Sequence, residues 1–472
     1  MQKLIIAAAF ALIACATSSS IDPLAMDEAT FQHELEARFQ YGPPQPEPLE
    51  AQDQRTGQIA DAAYLTAFPE YGRAYSQRTR VQAQQLAERL RLDAGELTHE
   101  QFVLRVAEIA ALADNGHTTI GENAFKKNTP RLPLRTYLFA DGLYVLRATQ
   151  ANADLLGARI DAIDGRSLDQ VYNVIARYQG GTDAHRRVQL IPMLESPALL
   201  HAAGIAHERG ALTLRGVLAN GAVFEQRVAA EQRDRSAPVS NTARTTYPTA
   251  PEATMASYLK DGAALPTYLH SRNDLFWIEA TEAGGLYVGL AHNADADEAP
   301  IASFLDHVLE RVRSERPAFV ALDMRMNGGG DYTTTYAFAR ALPEAARGAS
   351  IYVLTSAWTF SAAITTVAAL EEAGRQQVII VGEDVGDRLD FWAEGGSFNL
   401  PNTFVQVHYA SARHNYTGPC SDRETCFWLN DRYPVRVSSL APDIAAPLTF
   451  AAYREGRDLA MEAVLAREVR RD

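Results

Sequence analysis

The stretch Ala318-Phe319-Val320-Ala321-Leu322-Asp323-Met324-Arg325-Met326-Asn327-Gly328-Gly329-Gly330-Asp331 decides the fold. Ala318 to Met324 is a short apolar run with no polar alternation until Asp323, the pattern of a strand buried on both faces. It ends in three glycines, and Thr333 to Leu342 then reads as a helix. Working outward, Leu286 to Leu290 is a preceding strand and Ile301 to Arg313 a helix. Ile351 to Leu354 is the next strand, Ser361 to Ala373 a helix, and Val378 to Val381 a strand again. Strands alternating with helices predict an α/β domain on a mostly parallel sheet, over residues 271–472. Ligands of such sheets gather beyond the carboxyl ends of the strands, where both the glycine loop and Ser361 fall.

Two strand-to-helix loops therefore carry the chemistry. Ser361 opens a helix, where unpaired amides and the helix dipole stabilise an alkoxide or an oxyanion. Taken alone, it reads as a capping serine, a residue type favoured at that position. Asn327-Gly328-Gly329-Gly330 lies one βα unit earlier, and glycines let backbone N–H groups approach a ligand closely. A phosphate loop is excluded because no Gly-Lys-Ser/Thr follows and Asp331 repels anions.

Upstream, residues 25–120 read as helical. Pro43, Pro44, Pro46 and Pro48 form an early linker or strap, Tyr75 to Leu92 is one helix, and Thr98 with Gln101 forms a capping box for another. That helix runs toward Asp114-Asn115-Gly116-His117-Thr118, with Gly116 as its stop. Residues 130–235 switch to short β-like runs, including Leu143 to Leu146 and Ala211 to Leu214, with turns at Asp141-Gly142 and Asn220-Gly221. Leu156 to Arg166, followed by a helix-like Leu168 to Arg177, resembles the second half of a PDZ module, which would bind an extended peptide at a sheet edge. Residues 236–270 read as a linker.

Composition bounds the rest. The chain has 472 residues, enough for two or three domains, with 47% hydrophobic and 22% charged residues, a globular balance. A net charge of -14 argues against nucleic acid as a partner. Residues 1–20 form a signal segment: Lys3, the apolar run Leu4 to Ala14, then polar residues. Leu12-Ile13-Ala14-Cys15 resembles a lipobox with Cys15 acylated, while Ala14-Cys15-Ala16 also suits ordinary signal peptidase. The first reading places the chain on the periplasmic side of a bacterial envelope, touching the membrane only through a lipid. Cys420 and Cys426 then form an even pair for a disulfide in an oxidising compartment. No metal or cofactor motif is present: there is no His-Glu-x-x-His, and the two cysteines lack partners at ligand spacing.

In order and spacing, Ala321 to Asp331, Thr359-Phe360-Ser361-Ala362-Ala363, Val381-Gly382-Glu383 and Ala441-Pro442-Asp443-Ile444 resemble the tail-specific (C-terminal-processing) and tricorn-core serine peptidases. The resemblance covers about the last 200 residues and the PDZ-like insertion before them. It implies a crotonase-like (ClpP-like) β-β-α superhelical core, Ser361 as nucleophile, and an oxyanion hole from Gly329 or Gly330 with the amide of Ala362. It also implies a peptide or protein substrate and no cofactor. One branch of the family uses a lysine after the Gly-Glu segment, but here that place reads Gly386-Asp387-Arg388 and no lysine follows Ser361. The other branch uses a histidine before the PDZ-like insertion, in a segment resembling Asp-Gly-His-Thr, which selects His117 as general base. The glutamate expected before the Pro-Asp segment is missing. Glu383 and Asp387, with Asp390 and Glu394 behind them, stand as candidates for the acid that orients His117. A noncatalytic peptide-binding scaffold and a serine esterase are the rival readings on the same fold.

Overall fold

The structure is a computed structural model that describes residues 22–49, 53–126, 129–232, 241–248, 255–260, 262–270, 275–296 and 300–470. The signal segment with Cys15 lies outside the described residues.

The C-terminal sheet has the strand order Ile444–Ala445, Val378–Gly382, Ser350–Thr355, Phe319–Asp323, Leu286–Leu290, Phe276–Ala280. All neighbours are parallel except the last pair. In register, Leu322 stands beside Val353 and Val353 beside Ile380. The period-two alternation of side chains divides each strand between two cores. Val320, Leu322, Val353 and Ile380 face the helices Ile301–Glu315, Thr333–Ala345 and Ala362–Gly374. Phe319, Ala321, Tyr352 and Val381 face the C-terminal helix Leu459–Glu468. Both faces are covered, which is why the strand runs show no polar alternation. Each expected strand and helix of this region is present, within a few residues of its expected ends.

An antiparallel sheet precedes it, ordered Leu134–Phe139, Gly142–Thr149, Arg159–Ile163, Ala211–Val217, Val223–Ala229. The helix Leu168–Ile175 starts on a Ser167/Gln170 capping box. Part of the expected linker is a strand here: Met255–Ser257 pairs with Gly142–Thr149. Among the helices before this sheet, His99–Ala111 begins on the Thr98/Gln101 capping box. It ends before Gly116, because Asp114, at φ 47, closes the turn by donating its N–H to the Ala111 carbonyl. These helices and the antiparallel sheet share one apolar core, to which Phe398, Leu400 and Tyr409 of the C-terminal half also belong. The proline-rich segment is a strap, held where Gln45 Nε2 donates to the Ser397 carbonyl at 3.4 Å and Leu49 N–H to Asn402 Oδ1 at 3.1 Å.

Cys420 and Cys426 form a disulfide. Among the described residues, no helix is long and apolar enough to cross a membrane, and no cluster of three metal-ligating side chains occurs.

Candidate active site

The strand Phe319–Asp323 ends in a buried anchor. Arg325 is 1% exposed and bridges Asp323 and Asp458, reaching the latter through Nη1 at 2.9 Å and Nη2 at 2.8 Å. Its guanidinium also lies 4.8 Å from the Tyr268 ring centre. Removing one partner from such a buried cluster would leave an uncompensated charge, so the cluster fixes where the next loop begins.

That loop is organised by Asn327, which is fully buried. Its Nδ2 donates to the Leu290 carbonyl at 3.0 Å and to Asn293 Oδ1 at 2.8 Å, and its Oδ1 accepts from Gly329 N–H at 2.9 Å. Its carbonyl accepts from Phe360 N–H at 3.0 Å, which ties the glycine loop to the residue before Ser361. Asn293 continues the network by donating to Thr366 Oγ1 at 2.8 Å, inside the helix that Ser361 opens. The two loops are therefore one hydrogen-bonded unit. A Cβ added at Gly329, whose φ is 110, would lie 2.6 Å from Ser361 Cβ and 3.1 Å from Ala362 N. The glycine is required by this approach.

Ser361 occupies the N-cap position of Ala362–Gly374, but its side chain makes no capping hydrogen bond. Its backbone sits at φ 55 and ψ -126, a region that side-chain-bearing residues avoid at a cost of about 1–3 kcal/mol. Capping therefore does not explain the serine. Its half-buried hydroxyl faces a cavity of about 690 Å³ lined also by Gly116, His117, Gly328, Gly330, Trp358 and Glu394. Gly329 N–H is already committed to Asn327, whereas the amides of Gly330 and Ala362 donate to no protein group among the described residues.

His117 is brought to this cavity from about 240 residues upstream. Asn115 holds its segment: the side-chain Oδ1 accepts from the N–H groups of His117 and Thr118, both at 2.9 Å, and Nδ2 donates to the Trp392 carbonyl at 2.7 Å. The imidazole lies against Phe360, ring centres 4.4 Å apart, and beyond it against Phe391 at 5.8 Å. Burial is the main reason its pKa is pushed down to about 3; the Glu394 carboxylate opposes this, and His414 and His185 add to it. The ring is neutral at pH 7, the form that accepts a proton. Neither ring nitrogen completes a hydrogen bond, and none joins the ring to the Ser361 hydroxyl, among the described residues.

Of the four carboxylates considered as its partner, Glu394 shares the cavity with His117. Glu383 lies elsewhere: its Oε1 accepts from Leu448 N–H at 3.0 Å, and it lines a separate cavity of about 590 Å³ with Leu138, Leu168 and Tyr172. Burial raises its pKa. Asp387 is 5% exposed, with Oδ1 taken by Arg388 N–H at 2.8 Å and Oδ2 unpartnered among the described residues; it lines a third cavity. Burial raises its carboxyl to about 6, against the pull of the Arg388 amide and charge. Asp390 is engaged with Arg413, at 2.7 Å from Nε. Phe391 and Trp392 do not line the cavity; Phe391 packs between two histidines.

The complex of mature CPAF with lactacystin superposes with a TM-score of 0.58 at 12% identity, covering 89% of this chain and 99% of that one. The chain shares the fold of mature CPAF. A second structure of mature CPAF gives a TM-score of 0.56 at 13% identity, over 89% of this chain and 98% of that chain. No protein-family profile matches the sequence, and no curated protein matches it either. At 12% and 13% identity this likeness is one of fold.

Sequence reasoning missed the Asn327–Asn293 network and did not single out Glu394. For the latter one local signal existed: Glu394 stands at φ 54, directly before Gly395 and Gly396, where a bend can turn a side chain into a cleft.

Proposed function

We propose that this chain is an exported serine peptidase that cleaves peptide bonds through an acyl-enzyme. Ser361 Oγ attacks the scissile carbonyl, and His117 takes the hydroxyl proton and returns it to the leaving amine. The amides of Ala362 and Gly330 stabilise the oxyanion, Gly329 shaping the loop rather than donating. Glu394, in place of Glu383 or Asp387, orients His117. Water then releases the acyl group. No metal or cofactor takes part in any of these steps.

The observation that carries this reading is the backbone of Ser361, strained at φ 55 with a hydroxyl that caps nothing, in a cavity shared with a neutral histidine. Strain of this kind is kept where it aims a reactive group. The ordered sequence pieces support membership of the tail-specific and tricorn-core peptidases, in the histidine-using branch, with a crotonase-like core and a PDZ-like insertion. The amino-terminal pattern supports lipid attachment at Cys15 on the periplasmic side of a bacterial envelope; metabolic labelling with a fatty acid, lost in Cys15→Ala, tests it.

One observation favours a noncatalytic peptide-binding scaffold: neither His117 ring nitrogen completes a hydrogen bond to Ser361 or to a carboxylate among the described residues. Peptide-library cleavage separates the two readings. The parent should yield cleaved products and Ser361→Ala none, with matched circular dichroism. Equal cleavage by both proteins would refute the assignment of Ser361.

A further inference from the structure

The rings around His117 form a column that the reaction scheme uses only at its centre. His185 stacks on Phe360 at 4.4 Å, Phe360 on His117 at 4.4 Å, His117 on Phe391 at 5.8 Å, and Phe391 on His414 at 4.9 Å with the planes 4° apart. His414 is 2% exposed and does not line the cavity. It sits on the strand Ala412–Asn415, directly opposite Phe391 in the antiparallel pairing.

Its two nitrogens have different surroundings. Nδ1 lies 3.3 Å from Asn430 Nδ2 and 3.2 Å from the Tyr416 hydroxyl. Asn430 is oriented by its own Oδ1, which accepts from Tyr332 O–H at 2.8 Å, so its amide nitrogen is the group presented to His414. An amide NH₂ can only donate, so Nδ1 must accept. In a neutral imidazole the proton then sits on Nε2. That nitrogen stands 3.4 Å from Glu394 Oε1, within ion-pair distance, and completes no hydrogen bond among the described residues.

We propose that His414 is a positioning residue for the candidate site: its Nε2–H holds the Glu394 carboxylate from the buried side, so that the carboxylate is presented to His117. The charge of the carboxylate bears on His117, while His414 meets its Oε1, and the two imidazoles lie on either side of Phe391. The ionisable groups whose charges bear on Glu394 come from several elements: His117 from the upstream loop, Tyr332 before the helix Thr333–Ala345, and His414 and Tyr416 from the strand region after it. None of them is a lysine or arginine. His414 supplies the one buried N–H donor to this acid at ion-pair distance among the described residues. Glu394 itself stands at φ 54, a conformation that side-chain-bearing residues adopt at a cost and that is kept most often at functional sites.

This inference rests on the serine-peptidase reading, and its test is arranged to separate the two. His414→Phe keeps a flat ring on Phe391 and removes the donor. His414→Gln keeps an N–H near the Nε2 position and gives up the ring. If His414 positions Glu394, loss of the N–H that faces the carboxylate should lower kcat by about 10- to 100-fold in His414→Phe with KM little changed. His414→Gln should recover part of that loss while being the less stable of the two. Activity that follows stability, with His414→Phe the better enzyme, would overturn the proposal, because that order means the ring alone matters. Nitrogen-15 NMR of the histidines gives a readout independent of turnover. In the full chain, Glu394→Gln should move the imidazole signals of both His117 and His414. Movement of only one of them would overturn the shared carboxylate. An inactive parent would refute the peptidase reading and leave the NMR result to decide on His414.

Discussion

Gly329→Ala tests the union of the two loops. The new methyl carbon would lie 2.6 Å from Ser361 Cβ and 3.0 Å from the Phe360 carbonyl oxygen, where carbon atoms ordinarily approach to about 3.5–4.0 Å. Neither neighbour can retreat freely, since Phe360 N–H is bonded to Asn327 and Ser361 begins a buried helix. Overpacking of this kind costs about 1–3 kcal/mol. The backbone adds a second cost, because a φ of 110 is open to glycine and disfavours alanine by about 1–3 kcal/mol. The expected total is about 2–6 kcal/mol, read as a drop in the urea midpoint at unchanged slope. Gly328→Ala is the control for stability: nothing lies within 4 Å of its added methyl and its φ is not left-handed, so its midpoint should stay within about 0.5 kcal/mol of the parent. The close approach also places the damage at Ser361, so Gly329→Ala that remains folded at low temperature should lose its reaction with a serine-directed probe. A Gly329→Ala protein as stable and as reactive as the parent would refute the reasoning.

Four further outcomes are expected. Ser361→Gly should raise stability by about 1–3 kcal/mol, since glycine accepts φ 55 and ψ -126 without strain; an unchanged midpoint would remove strain from the account. Asp387 is held near 6 in the fold against 3.8 ordinarily, so the unfolded chain releases its proton first and stability falls as pH rises from about 4 to 6. Asp387→Asn should therefore stabilise the protein by roughly 1–3 kcal/mol at pH 8 and not at pH 3.5 in thermal melts. His117 has the opposite sign: with its folded pKa pushed down to about 3, the unfolded chain binds the proton first, and this contribution to stability is lost as pH falls from about 6.5 toward 3. Its base form persists through mild acid, so the rate of probe reaction should not halve at pH 6.5 as it would for an ordinary histidine. Replacing Cys420 and Cys426 together by serine should cost about 2 kcal/mol, the scale for a short disulfide loop, and non-reducing peptide mapping of the parent should recover one linked fragment.

The parallel sheet was legible because each of its strands is buried on both faces and written as an unbroken apolar run between turn residues. Ser361 and the glycine loop were legible for a related reason: both follow such strands directly, so their placement is fixed by local order. What the sequence did not yield depends on distant pairing. The antiparallel pairing of Asp390–Ala393 with Ala412–Asn415 sets Phe391 against His414, and no periodicity within either short strand announces it. The choice among Glu383, Asp387, Asp390 and Glu394 turned on which direction each side chain leaves the chain. Only the bend at Glu394 decides that. Likewise Gly116 looked like a helix stop because glycine commonly ends helices, while Asp114 took the left-handed position two residues earlier. Its place near Phe360 explains the glycine better: an added Cβ would come 2.7 Å from that ring.

The most direct test of the central claim is intact mass spectrometry of the purified protein after exposure to a fluorophosphonate, followed by peptide mapping. A single adduct on Ser361 is expected, absent from Ser361→Ala and slowed in His117→Ala. A folded parent that takes up no adduct, or takes it on another residue, would contradict it.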